Sequence, residues 1–300
     1  MISLLSTWTF GLSLALVALG VFVSFRLFSF PDVTTDGSFT LGGVVAAVLL
    51  VGGYDPHLAT VAALAAGAAA GATTASIHAF LGVERLLAGI LVSTALASVN
   101  LVVLGRSNVP LQKVTTLFDY ATGTFRPWLE RIGVESTVAA EAARTLFVMV
   151  VVCGAAAVLY SFFRTRLGTA MRAGGDTPTM ARALGRDTAL LTVGGLAIAN
   201  GLVAGAGALV AQYQGFTDVQ MGMGMVVWCM ASVFLGNALV GEARLGASLV
   251  AAAAGSVTFR LLVATALRAG LDPDWLKAAT AAVVLAALVI PTLSARRRTR

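Results

Sequence analysis

Two carboxylates four residues apart are the first side chains in this chain with chemistry to offer. Asp32 and Asp36 stand in the stretch FPDVTTDGS, residues 30–38, with Thr35 and Ser38 beside them, directly after a long apolar run. A carboxylate at membrane depth is expensive unless it is paired or hydrated, so by its chemistry it points to the path of a solute or ion. The same residues also suit plainer roles, with Asp36 as the cap of a helix starting near Ser38 and Asp32 in a turn after Pro31. A second polar group, Gln212, Tyr213, Gln214, Asp218 and Gln220, follows a later apolar run. Its amides and phenol could meet a polar solute or a delivering protein, or lie at an interface with no further role.

The third group is a basic segment, residues 164–187, RTRLGTAMRAGGDTPTMARALGRD. Its second half is built like a short helix, with Thr177 able to cap, Pro178 suited to the first helical position and Gly185 to the exit. Met180, Ala183 and Leu184 would then share an apolar face with arginines beside it. Such a face fits either a groove on another protein or the surface of an anionic bilayer.

Other chemistries find no support. His57 and His78 are far apart and have no second metal-type ligand at useful spacing, and Cys153 and Cys229 lie inside apolar runs, where small buried side chains are expected. The only lysines, Lys113 and Lys277, follow no phosphate-binding glycine loop, so the chain supplies no ATP site of that type. No Ser, His and Asp set or carboxylate pair suggests an enzyme, and no cofactor site is expected.

The elements that must hold these groups are membrane helices. Hydrophobic residues make up 58% of the chain and charged residues 11%, where a soluble domain is about half apolar and about a quarter charged. The surface of such a chain must face lipid. Apolar runs lie at about residues 8–27, 38–53, 57–77, 87–105, 142–163, 188–211, 220–240, 245–267 and 276–293, each near the roughly 20 residues a spanning helix needs. Backbone polar groups facing lipid must be paired within the segment, and no run shows the alternation of a barrel strand, so the fold class is all-α. One polytopic transmembrane bundle of eight or nine spans, residues 1–300, is expected, with the second and seventh runs short or glycine-interrupted enough to be broken or re-entrant. Gly67 with Gly71 and Gly201 with Gly205 suit close helix packing, unless they only reflect a composition rich in small residues.

The basic segment 164–187 and the arginine-rich tail 296–300 should both be cytoplasmic. Four runs separate them, and an even number returns the chain to the same side. The net charge of +6 therefore marks segment ends and not a nucleic-acid surface.

Leu167–Gly185, LGTAMRAGGDTPTMARALG, resembles the cytoplasmic coupling loop of bacterial ABC importer permeases in the branched-chain amino acid permease superfamily. Phe30–Gly42, FPDVTTDGSFTLG, and Ala208–Gly224, ALVAQYQGFTDVQMGMG, are similar to segments of its tryptophan or tyrosine permease-like branch, and the resemblance runs over about residues 10–293. It implies a multi-pass permease subunit in the bacterial inner (plasma) membrane, importing an amino acid or related small organic solute. The implied partners are a cytoplasmic ABC ATPase, an extracytoplasmic substrate-binding protein and a second permease chain in a homodimer. It assigns ATPase coupling to Arg172, Asp176, Thr177, Pro178, Met180, Ala181, Ala183, Leu184 and Gly185. Asp32, Thr35, Asp36, Ser38, Gln212 and Gln214 become candidates for the translocation path. The rival reading is an ion-coupled secondary transporter, which would want charge at mid-membrane depth, and the helix centres look almost free of it. A lipid-modifying enzyme would need more than Asp32, Asp36 and His78.

Overall fold

The computed structural model describes residues 2–183, 185–240 and 245–270, with residues 275, 278, 281 and 282. Among them the chain is almost wholly helical: α1 (Ile2–Val21, continued by a π-helical turn Phe22–Leu27), α2 (Thr34–Val51), α3 (Pro56–Leu81), α4 (Arg85–Leu104), α5 (Leu117–Arg131), α6 (Ser136–Arg164), α7 (Arg166–Asp176), α8 (Pro178–Ala183), α9 (Thr188–Gln214), α10 (Met225–Val240) and α11 (Leu245–Arg268). Two three-residue strands, β1 (Asn108–Pro110) and β2 (Phe216–Asp218), pair antiparallel, with Val109 opposite Thr217.

Seven of these helices are long and apolar enough to cross a membrane. The chain is an all-α polytopic membrane protein. The first eight apolar runs of the sequence each lie on a helix, and the ninth, 276–293, falls almost entirely outside the described residues, as does the tail 296–300. The second run is a continuous helix; the interruption stands before it, at residues 28–33, where Ser29 takes a φ of +48° that non-glycine residues rarely adopt. The seventh run is broken as expected: its first residues turn, with Gly224 at φ +86°, and helix begins only at Met225.

Helix ends follow local chemistry. Asp55 caps α3 by accepting from the His57 and Leu58 amides at 2.8 and 3.4 Å, with Pro56 in the first helical position. Asp187 does the same for α9 through the Ala189 amide at 2.9 Å. The polar stretch between α4 and α6, which by sequence is only a connection, holds the amphipathic α5, begun by a Thr116–Asp119 capping box and laid against α6 and α9 by Leu117, Phe118 and Ala121. Beside Glu130, the Arg126 guanidinium holds the carboxyl below the usual range by a hydrogen bond.

The centre is a close-packed trio of α2, α3 and α9. A Cβ on Gly42 would run into the Ala204 carbonyl, one on Gly207 into the Phe39 carbonyl and one on Gly71 into the Leu196 carbonyl. In lipid, helices associate by such close approach, so Gly67, Gly71, Gly201 and Gly205 are packing residues and not mere composition. The most apolar stretch of α1 is 83% buried, while those of α4 and α6 are 22% buried and present residues such as Leu91, Val102, Val150 and Val158 outward to lipid.

Candidate functional site

The interruption before α2 places Asp32 at the heart of the bundle. Its Oδ1 accepts from the Thr34 amide at 2.9 Å and its Oδ2 from Asn200 Nδ2 at 2.6 Å, while Asn200 Oδ1 accepts from the Ser38 hydroxyl at 2.7 Å. Thr35 donates to the Asp32 carbonyl at 3.0 Å, and the Thr34 and Thr74 hydroxyls bond at 2.7 Å. All of these residues are buried. Asp32 thus occupies a turn, as one sequence reading had it, and also ties α2 to α9 through Asn200, which no sequence pattern had singled out.

Asp36 does something else. It lies inside the first turn of α2, not ahead of a helix starting near Ser38, so it caps no helix of its own. Its Oδ2 accepts from the Gly224 amide at 3.0 Å and its Oδ1 from the Val226 amide at 2.8 Å. It is therefore the cap of α10, supplied from a different helix to orphan amides at the positive end of the helix dipole. The Thr40 hydroxyl accepts from the Gly222 amide at 3.1 Å and the Thr217 hydroxyl donates to the Gly43 carbonyl at 3.2 Å, so α2 holds the whole irregular approach to α10. Asp36 stands fifteen residues before the end of α2, about 22 Å along its axis at 1.5 Å per residue, so α10 begins deep within the bundle. Unlike Asp32, it is only partly buried, and Met223 and Gly224 beside it are exposed.

At the β1–β2 end, Gln212 is buried with each amide group engaged: Oε1 accepts from the Leu117 amide at 3.0 Å and Nε2 donates to Thr60 Oγ1 at 3.0 Å. It fastens α5 and α3 to α9. Gln214, two residues on, is exposed. Glu141, also buried, takes a hydrogen bond from the Tyr213 hydroxyl and pairs with Arg144 at 3.2 Å.

At the other end, α7 and α8 form a helical hairpin. The Ala181 amide bonds to the Thr177 carbonyl at 3.1 Å, the Arg186 amide to the Ala181 carbonyl at 3.1 Å, and Gly185 takes a φ of +73°, a natural helix exit. Ala181 is buried between the two helices, while Thr177 and Ala183 are exposed and Arg172 is half-buried. Leu184 lies outside the described residues, as do the side chains of Asp176, Pro178 and Met180. A Cβ on Gly175 would run into the Leu27 carbonyl, so the end of α7 rests on the interruption that carries Asp32. Arg85 Nη1 donates to the Ser29 carbonyl at 3.0 Å and steadies the same segment from α4. An open cavity of about 390 Å³ beside it is lined by Phe30, His78, Arg85, Gly175, Arg182 and Arg186 among others.

The helix centres were expected to be almost free of charge, and Arg260 is an exception: it lies inside α11 with its guanidinium over the Phe10 ring, 4.2 Å from its centroid. A lone arginine in the otherwise apolar run 245–267 was legible in sequence as an intramembrane charge.

A family profile described as the branched-chain amino acid transport system permease component matches residues 3–292. The chain belongs to this permease family. It is 33% identical over 294 residues to a tyrosine transport system permease protein of Clostridioides difficile, covering 98% of this chain and 93% of that one. It is also 26% identical over 284 residues to an uncharacterized protein of Rickettsia prowazekii, covering 93% of this chain and 92% of that one. No solved structure matches. The family membership makes the chain a permease component of a transport system.

Proposed function

We propose that the chain is the membrane-spanning subunit of an ATP-driven importer of an amino acid or a closely related solute, working as a homodimer in a bacterial inner membrane. An extracytoplasmic binding protein delivers the solute at the β1–β2 end, and a cytoplasmic ABC ATPase docks on the α7–α8 hairpin. The observation that carries this reading is the seat of Gly175 on the Leu27 carbonyl. It joins the docking hairpin to the interruption 28–33, that interruption to Asp32 and α2, and α2 through Asp36 to the start of α10. A push on the hairpin is thereby delivered to α10, which begins inside the bundle, where discontinuous helices usually mark a solute path.

In this reading the coupling surface uses Arg172, Thr177, Ala183 and Gly185, together with Asp176, Pro178, Met180 and Leu184 of the same stretch of sequence, while Ala181 holds the hairpin together from inside. Asp36 and Gln214 reach the path. Asp32, Thr35, Ser38 and Gln212, each bonded within the bundle, shape its wall. The relative's name, a tyrosine transport system permease, supports an amino acid as the cargo.

The test is uptake of radiolabelled amino acids, tyrosine included, into liposomes holding the permease with its co-purifying ATPase and binding protein. Uptake should require ATP and ignore ion gradients. Gly175→Leu should leave the ATPase bound and hydrolysing while uptake falls at least about tenfold, since one clashing contact of a few kcal/mol separates α7 from its seat. Uptake that persists without ATP and follows a sodium or proton gradient would instead identify a secondary transporter.

A further inference from the structure

Arg260 stands fifteen residues from the start of α11 and eight from its end, about 22 and 12 Å along the axis, so its charge lies in the membrane-crossing part of the protein. Such a charge is costly in a membrane helix unless it is compensated. The usual compensations are absent among the described residues. The guanidinium makes no hydrogen bond and no ion pair with any of them, and its Nε is enclosed without a partner. Glu141, a buried acid at this end of the bundle, is already taken by Arg144, Thr9 and Tyr213.

What Arg260 has is an aromatic frame. Its guanidinium carbon is 4.2 Å from the Phe10 ring centroid and 5.9 Å from that of Trp228, and Trp228 is held edge-on by Phe259 at 4.9 Å. Its stem passes Gly11, where a Cβ would lie 3.2 Å from the Arg260 Cβ, so a larger residue there would press on it. Long basic side chains normally snorkel to the interface. This one is instead stacked between α1 and α10, which fixes the orientation of its donors while leaving them unused. A planar fork of free donors, held in place by rings on two helices, is complementary to a carboxylate, and the rings favour an apolar or aromatic group attached to it.

We propose that Arg260 receives the carboxylate of the transported amino acid, with Phe10 and Trp228 packing against the solute's apolar part. This rests on the importer reading given above and names the recognition element within it. The rings offset part of the cost of the charge, and a bound carboxylate supplies the counter-charge and the acceptor that they leave missing.

The experiment uses the solubilised wild-type permease and a panel of the twenty amino acids. Each is paired with its amine lacking the carboxylate, and binding is read as a shift in melting temperature and confirmed by calorimetric titration. At least one amino acid should stabilise the protein and its amine should not. Arg260→Gln should lose affinity at least about tenfold, the least expected when one partner of a desolvated charge pair is removed. Arg260→Lys should restore part of it, and Arg260→Gln should melt no lower than wild type without ligand, which separates recognition from a structural role. Equal binding by Arg260→Gln, equal binding of amine and amino acid, or stabilisation by anionic phospholipid alone would overturn the proposal. If ATP-driven amino-acid uptake survives Arg260→Gln unchanged, the site falls while the importer reading stands. If wild-type uptake does not require ATP, the importer reading falls by itself.

Discussion

Asn200 is bonded on both faces of its amide, giving Nδ2 to Asp32 and taking the Ser38 hydroxyl on Oδ1. Removing it strands a carboxylate and a hydroxyl in the buried centre of the bundle, a loss of about 2–3 kcal/mol on the scale of hydrogen bonds to charged groups. Asn200→Ala should therefore lower the melting temperature of the purified protein, and Asn200→Asp should lower it further by setting a second acid against Asp32. Thermal unfolding followed by intrinsic fluorescence would show this; an unchanged melt would mean that Asp32 is not held as described. Asp36 belongs to a different class, because its partners are backbone amides of another helix. No spacing rule connects residue 36 with residues 224 and 226. A capping signal was visible at Asp36, but which helix it caps was not.

The elements differ in how closely they are pressed together, and glycine substitutions read this out. Gly123 in α5 has nothing within 4 Å of where its Cβ would stand. Gly123→Ala should stabilise the protein by about 0.5–1 kcal/mol, because a mid-helix glycine is entropically costly. Gly42→Ala should do the reverse, and by more, because the added carbon meets the Ala204 carbonyl of a helix that cannot retreat. Comparing the two in one urea or thermal series would separate backbone entropy from packing. The helices themselves were legible as apolar runs, and the caps Asp55 and Asp187 as Asp residues just ahead of two of those runs. The amphipathic α5 was not, because its balanced charges between Arg106 and Arg144 read as a connection and its few apolar residues find their main partners on the distant α6 and α9.

For the molecule as a whole, the arrangement places the α7–α8 hairpin at one end of the bundle and the β1–β2 pair with α5 at the other. If the basic hairpin faces the cytoplasm, a single cysteine at Gly174, in a chain with Cys153 and Cys229 replaced, should react with an impermeant maleimide only after the cells are opened. A cysteine at Gln214 should react in intact cells. Labelling of position 174 from outside would invert the topology and with it the assignment of the hairpin to an ATPase.

Composition alone set the class of this protein: with 58% apolar and 11% charged residues, only lipid can serve as solvent for most of its surface. Run length set the helices, since a backbone in hydrocarbon must satisfy its own hydrogen bonds. The family was readable from the ordered segments at residues 30–42, 167–185 and 208–224. Which polar groups are spent on holding the bundle, and which remain open, was settled by how the helices pack. Asp32, Ser38 and Gln212 are consumed by partners up to 168 residues distant, and Arg260 is left with rings and, among the described residues, no acceptor. The reason is physical. A hydrogen bond is satisfied or not by groups brought together from distant parts of the chain, and a local sequence pattern carries no record of what arrives on the other side.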